Sequence, residues 1–324
     1  MRNAPPLSPQ STTVVRPKEQ SHHAHLVSHT RRSRRLRSVL RRDYTEQRRL
    51  VARFARAEYM AVRLLLPAAV VPDVIAATAF MHHSDNLIDQ GPLDERLKAL
   101  KSWEIQVKDA FDSGSTDQSV LRALVHTAGR HAQLEGHVQA FLTGAPAEVQ
   151  WEGFDTDDDF RRYVDAYSHP AFMLIARLLE PPAQADAYRT GCRTFIESSQ
   201  RLDFLEDLAD DLGTGRLGLS QESLTAFGIT RAQLERGESS EGLEKLICHQ
   251  VELIRPGLVA SQSLADLVNP RSRQFMTALV SLQQIRLQKV EETGVSLLRK
   301  SPSKPIAASL RVLARAYHAA RRAQ

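Results

Sequence analysis

The chain has 324 residues, 42% of them hydrophobic and 25% charged, with 15 glycines and 15 prolines. That balance suits a globular protein and excludes low-complexity and collagen-like chains. Two cysteines, Cys192 and Cys248, are too few for a disulfide framework or a zinc site of paired thiols. No apolar run reaches the ~20 residues of a spanning helix, and the first residues lack the apolar core of a secretory signal, so a cytoplasmic location is expected.

The net charge of +5 is uneven, because residues 1–49 hold twelve Lys or Arg against three acids. Residues 1–28 are rich in Pro, Ser, Thr, Gln and His without an apolar period, which reads as disorder. A basic run follows at Arg31, Arg32, Arg34, Arg35, Arg37, Arg41 and Arg42. It suits a solvated helix start or attraction to an anionic surface, such as peripheral association with a membrane. No aromatics interleave with it, so nucleic acid is not expected as a partner. The expected organisation is a disordered basic tail over 1–40 and one all-α domain over 41–324.

Ala, Leu, Arg, Glu and Gln dominate the domain, and these residues favour helix. Tyr59, Val62 and Leu66 step at helical spacing until Pro67, and a new helix is predicted to start at Asp73. Further helices are predicted over 93–112, 116–142, 157–178, 183–212, 231–253, 271–299 and 304–322. Breaks are expected at Gly144-Ala-Pro146, Pro181-Pro182, Gly213-Thr-Gly215 and Pro302. Asp155, Asp157, Asp158 and Asp159 read as an acidic helix start that favours the dipole.

Two segments carry chemistry. In His82-His83-Ser84-Asp85-Asn86-Leu87-Ile88-Asp89, Asp85 and Asp89 stand four apart on one helix face. In Asp203-Phe204-Leu205-Glu206-Asp207-Leu208-Ala209-Asp210-Asp211, the carboxylates of Asp203, Asp207 and Asp211 share a face. No Lys or Arg stands between Asp203 and Asp211 to neutralise them, and like charges at this spacing destabilise a helix. If the two helices face each other, five carboxylates converge, and a hard divalent cation would make that tolerable. Oxygen ligands select Mg²⁺, with diphosphate oxygens completing its shell. Two solvated acidic faces are the bland alternative.

These segments resemble the two aspartate-rich motifs of the squalene/phytoene synthase family, the trans head-to-head isoprenyl diphosphate synthases. Leu64-Leu-Leu-Pro67, Gln200, Gly215-Arg216, the region of Tyr163 and Glu291-Glu-Thr-Gly294 are similar to further family segments. The likeness covers roughly residues 50–315. It implies an isoprenoid synthase fold and Mg²⁺-dependent condensation of two prenyl diphosphates, farnesyl or geranylgeranyl, through a cyclopropyl intermediate. It implies metal ligation by Asp85, Asp89, Asp203, Asp207 and Asp211, and a cavity-facing Tyr163 whose ring steadies cationic intermediates. Arg216, His82, Gln200 and Lys300 are the candidate diphosphate-binding residues. NADPH is used by squalene-forming relatives, but nothing in this sequence calls for it.

Several family positions are altered. Asn86 replaces a second aspartate, His82 and Glu206 replace arginines, Asp203 replaces an asparagine, and Glu58-Tyr59 replaces a serine–phenylalanine pair. Fewer donors for diphosphate keep open a terpene cyclase of the same fold that ionises one substrate. A non-catalytic protein that binds anionic surfaces through its tail is the alternative of another class. Phe80, Phe141, Phe172 and Met173 are candidate cavity-lining residues or plain core. Gly213-x-Gly215-x-x-Gly218 matches a dinucleotide fingerprint in letters only, since it follows an acidic helix where the motif requires a strand.

Overall fold

The computed structural model describes residues 20–322 apart from Gln90, with side chains from Arg37 onward. Of the disorder expected over residues 1–28 and the tail expected over 1–40, positions 1–19 lie outside the described residues, and from Gln20 the backbone is helical. The chain separates between Arg42 and Asp43 into two units. Helix α1, Gln20–Phe54, runs through the boundary, and its end and all later helices belong to the second unit.

The helices run as α1 Gln20–Phe54, α2 Arg56–Leu65, α3 Val71–Ile88, α4 Leu93–Ser113, α5 Ser119–Ala128, α6 Leu134–Val149, α7 Asp157–Tyr163 and α8 His169–Ala176. They continue as α9 Ala185–Glu206, α10 Leu208–Gly213, α11 Gln221–Ala226, α12 Arg231–Glu235, α13 Glu241–Ala260, α14 Leu264–Leu267, α15 Arg273–Thr293 and α16 Ile306–Arg322. One isolated bridge, Phe154 to Ser220, is the sole β pairing among the described residues. The all-α expectation holds.

Four predicted boundaries differ. The stretch 231–253 is two helices, α12 and α13, separated by a turn in which Gly237 takes φ +66°. The stretch 116–142 is two helices, because the chain turns at Gly129–Gln133 between α5 and α6. Gly144-Ala-Pro146 does not break α6; Pro146 sits inside it, one turn from its end. A proline so near the terminus forfeits one backbone bond and the helix survives. Gly144 is there for space: a Cβ at this position would stand 1.7 Å from the carbonyl oxygen of Ala166. The stretch 183–212 is interrupted at Asp207, whose φ of −93° and ψ of 6° kink the chain between α9 and α10. The bonds Asp207 N to Asp203 O and Asp211 N to Asp207 O persist at 2.9 and 2.8 Å, so the three aspartates stay in helical sequence across the kink.

The acidic start of α7 is as read. Thr156 and Asp159 form a reciprocal capping box, and Arg161 pairs with Asp157 and Asp158. Between α7 and α8 the chain widens into a π-helical turn over Val164–Ser168, closed by His169 N–H donating to Val164 O. Pro170 follows at once and has no N–H to continue the α ladder. Such single π turns recur at functional sites. This one is held against α6 by the Gly144 contact and against α9 by Ser168, whose hydroxyl donates to Gln200 Oε1 at 2.8 Å.

Phe80, Phe141 and Met173 are buried, and Phe172 packs against the same core. Phe80 meets Trp103 and Phe141, and Phe141 meets Tyr167. α9 packs on α13, and α15 packs on α2, α9, α13 and α16. Cys192 is buried and Cys248 exposed, and neither is in a disulfide. No described helix is long and apolar enough to cross a membrane.

Candidate active site

The first acidic motif lies on the last turn of α3. Asp85 is half-buried, and the Tyr167 hydroxyl, from the π turn, donates to its Oδ1 at 2.6 Å. Burial pushes the Asp85 carboxyl up to about 7; the Tyr167 bond opposes the rise, while Asp89 and Glu148 add to it. Asp89 is raised too, first by burial and then by Glu148, against the pull of Arg216 and Arg96.

The second motif spans the α9–α10 kink. Burial, then Asp203, Asp211 and Glu206, push Asp207 up to about 6, with Arg286 opposing. Asp211 is raised by burial, lowered by Arg216 and raised again by Glu148 and Asp210. Glu148 and Arg216 therefore act on both motifs, which places Asp85 and Asp89 across one neighbourhood from Asp211. Burial is the first physical cause of the upward shifts, and neighbouring like charges add to it.

Glu148 and Arg216 are the hub. One Arg216 amino group donates to Glu148 Oε1 at 2.7 Å, and the guanidinium lies 4.2 Å over the Trp151 ring. Its buried Nε–H has no hydrogen-bond partner. Tyr163 donates its hydroxyl to the other Glu148 oxygen. Its ring packs among Trp151, Phe154, Tyr167 and Phe204 at centroid distances of 5.5–6.0 Å. The glycine-rich turn supplies the geometry: Gly215 takes φ +78°, and a Cβ on Gly218 would stand 2.3 Å from Phe204. The segment thus stops α10 and carries Arg216 back over Trp151, as a helix stop and not a nucleotide fold.

The other sequence candidates fall elsewhere. His82 stacks on Phe54 at 3.3 Å and its Nε2 meets Asn86 Nδ2 at 2.9 Å, so it is engaged away from the hub. Gln200 is occupied with Ser168 and fixes the π turn. Lys300 is exposed, and its neighbour Ser301 donates to Asp210 at 3.2 Å, which keeps that segment beside α10. Asp203 corrects a sequence inference. A base does neutralise it: Arg286, from α15, donates to Asp203 Oδ1 at 2.6 Å and also grips Glu206. A search for bases within the ladder itself could not find a partner 83 residues away. Burial still raises Asp203, against the pull of Arg286. Glu58 of α2 adds to that rise, so α2 borders the site.

Among the described residues no three His, Cys, Asp or Glu side chains already surround one point as metal ligands. The donors nevertheless suit a hard divalent cation. Asp85, Asp89, Asp207 and Asp211 offer carboxylate oxygens, and Mg²⁺ commonly takes one or two carboxylates and fills its shell with water and phosphate oxygens. A separate cleft of about 390 Å³, lined by Ala209, Gly213, Leu234, Arg236 and Arg299, lies on the face of α10 opposite Asp211.

Sequence reasoning missed Glu148, Tyr167, Trp151 and Arg286. Only Tyr167 had a local signal, standing one turn from Tyr163.

The all-helical fold is that of solved squalene synthases. The chain superposes on squalene synthase HpnC from Alicyclobacillus acidocaldarius with a TM-score of 0.70 at 21% identity, over 79% of this chain and 95% of that one. Residues 51–317 match squalene/phytoene synthase, and the chain belongs to that family. It is 31% identical over 241 residues to the bifunctional protein CrtB/UppS of Streptomyces coelicolor, covering 74% of this chain and 42% of that protein. The chain thus spans less than half the length of that relative. It is 23% identical over 270 residues to 15-cis-phytoene synthase of Synechococcus elongatus, covering 79% and 86% of the two.

Proposed function

We propose that this chain condenses two prenyl diphosphates head to head, with Mg²⁺ held between the two acidic motifs. The observation that carries the reading is a chain of contacts: Asp85 accepts from Tyr167, whose ring meets Tyr163, and Tyr163 shares Glu148 with Arg216, the arginine that follows the second motif. Family membership supports the reaction class, and the donor chemistry supports the ion. Asp85, Asp89, Asp207 and Asp211 are the proposed ligands. Asp203 is a weaker one because Arg286 already holds it. When bound, the cation would neutralise charge growing on the departing diphosphate oxygens.

The chain's own groups do the rest. Arg216, with an unpartnered Nε–H, donates charge-assisted hydrogen bonds to diphosphate. Lys300, exposed beside α10, adds a second positive charge. The rings of Tyr163 and Tyr167 face developing allylic cation with their negative π surfaces, and Trp151 and Phe204 pack behind them and keep water away. Tyr167 holds Asp85 in place and favours its ionised form. His82 and Gln200 act indirectly, through Asn86 and the π turn. Turnover spared on deletion of residues 1–40 would make that tail accessory to this chemistry.

Farnesyl or geranylgeranyl diphosphate is the proposed substrate. Incubation of purified protein with each, plus Mg²⁺, followed by solvent extraction, tests the reading. A linear product of twice the substrate's carbon count supports it. A cyclic product of one substrate's carbon count would move the assignment to terpene cyclisation, and the absence of any product would leave an anionic-surface-binding protein.

A further inference from the structure

We propose that the outward faces of α2 and α16 form a docking surface for an anionic lipid bilayer. α16 carries Arg311, Arg315, Arg321 and Arg322 and no acidic residue. None occurs anywhere from Arg299 onward, where Lys300 and Lys304 add further positive charge. Between residues 47 and 72 the only acid is Glu58, whose charge is felt by Asp203 on the site side.

Exposed apolar side chains stand on the same helices and at the end of α1. Ile306 is 67% exposed and Leu310 59%, and on the α1–α2 side Phe54, Met60 and Leu64 are 37–39% exposed. α2 and α16 pack on each other and both pack on α15, so their outward faces adjoin. Exposed Arg53, Arg56, Arg63, Arg311 and Arg315 interleave with these residues, and none of the five has an ion-pair partner among the described residues. Arginines elsewhere behave differently: Arg161, Arg189 and Arg193 are each engaged by acids.

Single apolar tips set among unpaired guanidinium groups match the boundary between lipid headgroups and acyl chains. There the tips reach hydrocarbon and the arginines reach phosphate. Each basic group near an anionic leaflet adds to the attraction, which salt screens. Docking here also sets the site, one helix away through Glu58, beside a phase that accepts apolar product. Only that consequence rests on the prenyltransferase reading.

Sedimentation of the full chain with phosphatidylcholine vesicles, alone or with phosphatidylglycerol, tests the surface without any turnover. Wild-type protein is expected to pellet with the anionic vesicles and to be released by salt. Ile306→Glu/Leu310→Glu and Arg311→Glu/Arg315→Glu each lower partition roughly tenfold or more. These positions are exposed, so unchanged melting and helical circular dichroism separate lost docking from lost folding. Wild-type partition in both double variants would overturn the proposal and assign binding to the basic run at 31–42. Failure of the wild-type chain to pellet with any vesicle would also overturn it.

Discussion

Arg216 reaches Glu148 at 2.7 Å at the point where the charges of both acidic motifs overlap. Glu148 raises Asp85, Asp89 and Asp211, and Arg216 lowers Asp89 and Asp211, so the pair sets how much negative charge the site holds. Arg216→Ala removes the donor and leaves Glu148 unpaired beside three aspartates. Steady-state kinetics should show kcat/KM reduced by about 10²-fold or more. Arg216→Lys keeps the charge but loses the planar fork over Trp151, and is expected to recover only part of the activity.

Tyr167→Phe deletes the one hydroxyl that donates to Asp85. Its loss should drive the Asp85 carboxyl above the neutral range it already reaches. Activity near pH 7 falls about tenfold and recovers as pH rises, because a protonated ligand is the defect. A pH–rate profile displaced to higher pH in the variant is the expected signature. A uniform loss at every pH would assign Tyr167 to packing alone.

The pH dependence of stability follows from the same carboxyls. Asp85 at about 7 and Asp207 at about 6 bind protons more tightly folded than unfolded. Their ionised forms therefore cost stability above the unfolded value near 3.8, and that cost is relieved as pH falls from about 7 toward 4. These carboxyls favour a higher melting temperature at pH 5.5 than at pH 8 in metal-free protein, and histidines lowered by burial, such as His83 and His169, oppose them. Asp85→Asn flattens the difference, and added Mg²⁺ reverses it by favouring ionised ligands. Calorimetry across the range, with and without chelator, checks the sign.

Gly144→Ala is expected to be severely destabilising, since its Cβ would stand 1.7 Å from the Ala166 carbonyl oxygen. α6 and the π turn would have to separate, at a cost of roughly 3 kcal/mol or more. A large drop in denaturation midpoint would show it.

Much of this was legible in the sequence, for identifiable reasons. Asp85 and Asp89, with Asp203, Asp207 and Asp211, are read by helical spacing, because i and i+4 positions share a face whatever the tertiary fold. Arg216 is read through Gly215-Arg216, which resembles the glycine–arginine pair of the family. Glu148 and Arg286 are invisible locally: each gains its role from a partner 68 or 80 residues away, through packing of α6 on the π turn and of α15 on α9. Pro146 misleads for a related reason. Its effect depends on how many helical bonds remain after it, and residue identity does not carry that. The kink at Asp207 likewise leaves the hydrogen bonds between aspartates intact, so the acidic period hides it.

The central claim, that the two acidic motifs act as one unit, is tested most directly by Mg²⁺-dependent diphosphate release. Asp85→Asn, Asp207→Asn and the double variant are to be compared with wild type under saturating prenyl diphosphate. Each single variant should lose about 10²-fold or more in kcat, and the double should be little worse than either, as groups sharing one function behave. Wild-type release in either single variant, or losses that simply multiply in the double, would contradict it.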